Sequence, residues 1–337
     1  YCSRVASYLK GDSLTIRHCR VSDTSTEGIY IISSNDVLLE KNIFTRNNIE
    51  NITGYYPAAV KIFNQCYRVT CQDNLVIDLP YSNGIWYDVG NVDGRFLNNW
   101  IEGVGNNNSN FSIEQPWPSD NGFFFEISKG AICAGNVFVN CDHGLWVLNS
   151  SDVHIYNNTF VNSTACIARN ARSAAGDHFG WHPSTGPDVD ERDGHIFVNN
   201  LLTGDKDFDR LLLYVWQPAS LCERINNSQL QQLDYNVYVR GSNASDKPII
   251  LWSPEKNENC RLIYNSLGAF QKQHPEFSTH SRFFPNYAGP LFKSIELGNF
   301  QLLPEFPGLN ESAKLPPDIS RLLGQSKRYI GAYPSIQ

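Results

Sequence analysis

Two short stretches hold the residues best suited to chemistry. Gly84-Ile85-Trp86-Tyr87-Asp88 and Gly122-Phe123-Phe124-Phe125-Glu126 both read glycine, apolar, aromatic, aromatic, acid. Each leads through a turn to an asparagine, and Gly84 to Asn98 and Gly122 to Asn136 are both 14 positions. Acids at one offset in two copies of a unit stand side by side when the units stack. Such a pair can share the work of general acid and nucleophile.

The units that would position them recur along the chain. Gly28 to Asn42 and Gly144 to Asn158 are again 14 positions, further units open at Ala59 and Ala165, and Gly122 to Gly144 gives a period of 22. Strands this short cannot bury a face alone; stacked as coils of a parallel solenoid, each buries one face against its neighbours. The recurring asparagines fit side-chain ladders between coils. The expected fold is all-β, a right-handed parallel β-helix over residues 1–252, with a C-terminal extension, residues 253–337, packed on the solenoid. A short helix is expected at Ser266 to His274. An up-and-down or sandwich β fold is the alternative, and it explains the fixed glycine-to-asparagine spacing poorly.

Strand alternation assigns faces. Ile85, Tyr87, Phe123, Phe125, Leu145 and Val147 should point inward. One outward column reads Tyr30, Lys61, Trp86, Phe124, Trp146, Ile167; the other reads Ile32, Phe63, Asp88, Glu126, Leu148, Arg169. We read the aromatic column as a sugar-stacking groove, with a covered second core as the competing reading. Neighbouring strands lie about 4.8 Å apart, which sets the two carboxyls about 5 Å apart, the separation of retaining rather than inverting glycosidases. Glu126, after three Phe residues, should be the protonated acid/base, and Asp88, with Lys61 one coil earlier, the ionised nucleophile. Arg169 could hold a substrate group. Insertions run from Gly103 to Asp120 and from about Ala171 to Asp193. The second carries His178, Trp181 and His182, expected to line the substrate groove, and four acids, Asp188, Asp190, Glu191 and Asp193, which we read as a solvated surface rather than a calcium site.

These residues also resemble a family. Gly84 to Asp88, Phe124-Phe125-Glu126-Ile127-Ser128 and Val153 to Phe160 look like right-handed parallel β-helix carbohydrate-active enzymes, and the acid pair is similar to that of glycoside hydrolase family 120 β-xylosidases. The resemblance covers residues 14–240 as a fold and the two acid motifs as chemistry, and implies Asp88 as nucleophile and Glu126 as acid/base.

Composition narrows the classes. The net charge of −7 and the lack of a Lys/Arg run argue against nucleic acid as a partner, and no apolar run is long enough to span a bilayer. Nine cysteines without a CxxC pair disfavour zinc and fit buried thiols with one or two disulfides. The chain starts at Tyr1 and has no Met, which we read as a processed chain or a piece of a longer one, secreted or periplasmic. The sequence thus predicts a retaining glycoside hydrolase on a carbohydrate substrate, without metal or cofactor. The alternatives are a polysaccharide lyase using Lys61 or Arg169 as base with calcium, and a non-catalytic glycan-binding solenoid.

Overall fold

The computed structural model describes residues 4–54, 57–105, 120–173, 186–325 and 327–334. Among them the chain winds into coils that build three sheets of ten, eight and nine strands. One coil runs through strands Glu27–Ile32, Leu38–Glu40 and Ile43–Asn47 before the next opens at Ala58–Phe63. In the ten-stranded sheet pairing is parallel from Val5–Leu9 to Ile250–Trp252, where the antiparallel strand Leu262–Tyr264 closes it. The fold is an all-β parallel β-helix.

The inward residues explain why the coils form. Ile85, Tyr87, Phe123, Phe125, Leu145 and Val147 belong to one continuous core, each worth about 1.5–3 kcal/mol of burial. Rings pack along the axis, with Phe138 and Phe160 stacked at 4.8 Å and Phe96 tilted on Phe123 at 4.5 Å.

A buried asparagine ladder locks the coils in register. It runs Asn42, Asn74, Asn99, Asn136, Asn158, Asn200 and Asn236, each amide nitrogen donating to the next Oδ1 at 2.9–3.1 Å. The second amide hydrogen of Asn136 goes to the Phe96 carbonyl at 2.9 Å, and its Oδ1 accepts from both the backbone and the side chain of Asn99. Every polar capacity of that side chain is met. The ladder corrects one expectation: in the Gly84 unit its member is Asn99, while Asn98 is exposed with φ 53°. The turn between Asp88 and Val92 holds one residue more than that between Glu126 and Lys129, although both ends pair in register.

The extension covers two outer faces. Leu315, Ile319 and Leu323, on and before the helix Pro317–Leu323, pack on Leu97, Ala134, Tyr156 and Val198 of the eight-stranded sheet. Phe292, Phe300, Leu302 and Phe306 cover Val137, Val161, Leu201 and Val237 of the nine-stranded sheet. Solenoid pairing runs past residue 252, because Arg282–Tyr287 joins Val237–Gly241 in parallel. The helix Leu267–Gln273 is capped by Ser266. Cys222 and Cys260 form a disulfide, and Cys66, Cys71, Cys133, Cys141 and Cys166 are buried free thiols.

Candidate active site

Asp88 and Glu126 end adjacent strands of the ten-stranded sheet and pair directly. Each is followed by a β-branched residue in left-handed backbone, Val89 at φ 60° and Ile127 at φ 47°. Other coils place Ser33, Asn64 and Asn149 at this turn. Asparagine adopts that conformation at little cost, whereas a branched side chain costs about 1–2 kcal/mol. Val89 and Ile127 are retained in an apolar cluster with Phe63, Tyr30 and Ile32 beside the acids. A second ladder fixes the turns: Asn91 donates to the Asp88 carbonyl at 3.0 Å, Ser128 to the Glu126 carbonyl at 2.7 Å, and the Asn91 backbone N–H to the Ser128 hydroxyl at 3.1 Å.

The charges around the pair are ordered. Lys61, in register with Trp86, holds Nζ 3.0 Å from Asp88 Oδ2 and 3.6 Å from the centre of the Trp86 ring. Arg172 Nη1 lies 3.2 Å from Glu126 Oε1. Burial, and then the Asp88 charge, push Glu126 up to about 7, against the opposing pull of Arg172 and Lys61. Asp88 and Glu126 stand side by side on adjacent parallel strands, the spacing of which is about 4.8 Å.

The second insertion meets the pair at both of its described ends. Arg172 is held at its backbone: its N–H donates to Asn170 Oδ1 at 3.0 Å, and its carbonyl accepts from Arg192 Nη2. The buried Arg192 also donates to Asn149 Oδ1 at 2.9 Å and to the Asn170 and Pro187 carbonyls. On the returning limb Gly186 packs so tightly that a Cβ there would meet the Ile127 backbone at 2.7 Å.

Several expected positions are corrected. Trp86, Phe124 and Trp146 do stand in one column, but they form no open groove: all three are at most 1% exposed and pack with Ala58, Leu148, Cys166, Trp216 and Leu251 as a second small core. The accessible part of that column lies earlier, where Tyr8, 61% exposed, stacks on Tyr30 at 5.4 Å. Beyond Trp146 the column passes to Cys166, and Leu148 pairs with Ala168, so Ile167 points inward and Arg169 is out of the acid column. The cause is a register shift between His143 and Leu145 that leaves Gly144 as an extra residue. Arg169 is wholly buried and bonds Gln217 Oε1 at 2.6 Å and the Asn227 and Arg192 carbonyls, so it faces protein and not a groove. His178, Trp181 and His182 lie outside the described residues.

Arg172 was not among the sequence candidates, and neither was a buried pair further along this sheet, Asp120 Oδ1 and His143 Nδ1 at 3.1 Å. The in-register position of His143 beside Asn121 was the available signal for the latter. Of the four acids of the second insertion, Asp188 caps Val189 and Asp193 accepts from Asn227, while Asp190 and Glu191 are exposed. Among the described residues no group of three or more His, Cys, Asp or Glu could hold a metal ion, and no helix is long and apolar enough to cross a membrane. A cavity of about 1140 Å³ lies away from the acids, between the helices Ala219–Cys222 and Leu267–Gln273 and the loop that bears Glu255 and Cys260.

Residues 1–160 match the family described as right handed beta helix region. No curated protein and no solved structure matches the chain.

Proposed function

We propose that this protein is a glycoside hydrolase with a retaining mechanism, Asp88 as nucleophile and Glu126 as acid/base. The observation that carries this reading is the contrast within one in-register pair. Asp88 is held by Lys61, while Glu126 is raised to about 7 and retains a proton near neutrality. In-register pairing on adjacent strands about 4.8 Å apart fits the short carboxyl separation of retaining enzymes and not the 6.5–9.5 Å of inverting ones. Glu126 would protonate the leaving oxygen as Asp88 attacks the anomeric carbon, and the Glu126 carboxylate would then activate water for the second step. The exposed Tyr8–Tyr30 stack offers a sugar ring a face two coils from Asp88.

The competing readings lose their main residues. A lyase would need Lys61 or Arg169 free to take a proton, but Lys61 is engaged with Asp88 and Arg169 with backbone carbonyls. A purely adhesive solenoid would need the aromatic column that is buried as a second core. A secreted or periplasmic location is part of the proposal, supported by the Cys222–Cys260 disulfide, since such bonds persist in oxidising compartments.

The test is a screen of aryl glycosides and oligosaccharides, with proton NMR of the first-formed product. A retained anomer supports the reading. An inverted anomer, an unsaturated product or no turnover on any substrate counts against it.

A further inference from the structure

We propose that Arg172 is a receptor for a substrate carboxylate, and that the glycan cleaved here carries a uronic acid beside the scissile bond. The inference rests on the reading of Asp88 and Glu126 as the catalytic pair.

It starts from a conflict at the site. A general acid must hold a proton, yet a guanidinium sits 3.2 Å from Glu126 Oε1 and favours the ionised form. The other groups facing Glu126 are Asp88, which favours the proton, and Lys61, which is committed to Asp88. Arg192 approaches from the returning limb, with its guanidinium bound to backbone carbonyls and Asn149. Of the four side chains in the cluster, Lys61, Asp88 and Glu126 are 4–6% exposed, while Arg172 is 29% exposed. Its backbone is pinned by Asn170 and Arg192, so only the side chain has freedom to turn.

A neutral sugar offers little to draw that guanidinium off a carboxylate. A substrate carboxylate does, because its two oxygens match the planar guanidinium fork. As Arg172 turns to the substrate, Glu126 loses the cation that favoured its ionised form, and its Oε1 is uncovered. The acid then keeps its proton until cleavage, when it passes to the leaving oxygen. The electron pair of the broken C–O bond stays with that oxygen, and Asp88 forms the new bond to carbon. Recognition of the acidic sugar and arming of the acid become one event.

The experiment uses oligosaccharides containing glucuronate or galacturonate, each paired with its carboxyl-reduced counterpart. The parent protein should show kcat/KM about 10- to 100-fold higher on the acidic member. Arg172→Gln should erase that preference, mainly through KM, and move the alkaline limb of the kcat/KM profile, which reports the free enzyme, to higher pH. Arg172→Lys, which keeps the charge without the fork, should retain part of the preference. Equal rates on the two members, or a preference that survives in Arg172→Gln, overturn the inference while leaving the glycosidase reading intact. If the parent cleaves neither member, calorimetric titration with the same pairs decides the inference, and the glycosidase reading is decided by the wider glycoside screen. Binding of the acidic member alone, lost in Arg172→Gln, supports the receptor; equal binding, or none, sinks it.

Discussion

Val89 and Ile127 occupy the same left-handed turn on adjacent coils, each directly after one of the two acids. A position that asparagine fills in neighbouring coils is given to branched apolar side chains where the carboxyls lie. Strain of this kind persists where the surroundings require it and clusters at functional sites. Replacing Ile127 with Asn should relieve about 1 kcal/mol of backbone strain and bring a polar group to the apolar wall beside Glu126. Burial is the largest cause of the raised Glu126 proton affinity, so the alkaline limb of activity should move to lower pH. A pH–rate profile checks this, and an unchanged limb would show that the apolar wall does not set the affinity.

Asp88→Ala should abolish turnover on every substrate, because Asp88 is the carboxylate paired in register with Glu126. Glu126→Ala should slow substrates with poor leaving groups most, since good ones need no protonation. Azide added to Glu126→Ala should give a glycosyl azide of retained configuration, read by proton NMR. An azide product of inverted configuration would falsify the nucleophile role of Asp88.

Glu126 also makes stability depend on pH. Its affinity is raised from 4.5 to about 7, so between these values the folded chain holds a proton that the unfolded chain has released. Stability contributed by this group is present below about pH 4.5 and falls as pH rises through 7, by on the order of 3 kcal/mol. Glu126→Gln should flatten that fall and unfold at higher denaturant than the parent at pH 8. Urea titrations at pH 5 and pH 8 measure it.

His195 should act in the opposite direction. Burial, and then Arg169, lower it to about 3, and its Nδ1 accepts from the Val153 N–H at 3.1 Å. The folded chain keeps it neutral while the unfolded chain protonates it near 6.5, so stability is lost as pH falls from 6.5 toward 3. In NMR spectra the His195 ring should show no titration down to pH 4 in the folded protein.

The ladder separates two neighbouring asparagines. Asn99→Leu leaves the buried Asn74 amide groups and the Cys71 carbonyl without their partner, which should cost about 3–5 kcal/mol. Asn98→Ala, at an exposed left-handed position, should cost about 1 kcal/mol. Denaturant midpoints of the two variants compare them directly.

What the sequence made legible follows from what the backbone repeats. The pairing of Asp88 with Glu126 and the inward faces came through because each coil must return to the same register. The Lys61–Asp88 contact was readable because it lies between adjacent coils. Arg169 was misplaced because Ala165 pairs with Leu145 and not with Gly144, so the side chains of residues 165–168 stand one position away from the expected register. The covering of Trp86, Phe124 and Trp146 depends on what packs over the outer face, which strand alternation does not encode. Arg172 was hidden because its contact with Glu126 spans 46 positions and is set by the base of an insertion.

The asparagine ladder makes each coil an interchangeable part. Thr159 pairs with Val137, and Asn136 and Asn158 occupy equivalent rungs. Cutting out residues 137–158 would therefore join Asn136 to Thr159, the strand Thr159–Val161 would take the place of Val137–Val139, and Asn136 would meet Asn200 as its next rung. The acids lie in the coils before the cut. The same cut removes Asn149, which anchors Arg192, and moves Arg172 one coil relative to Glu126, so a change of one whole turn leaves the acid pair in place while resetting which insertion reaches it.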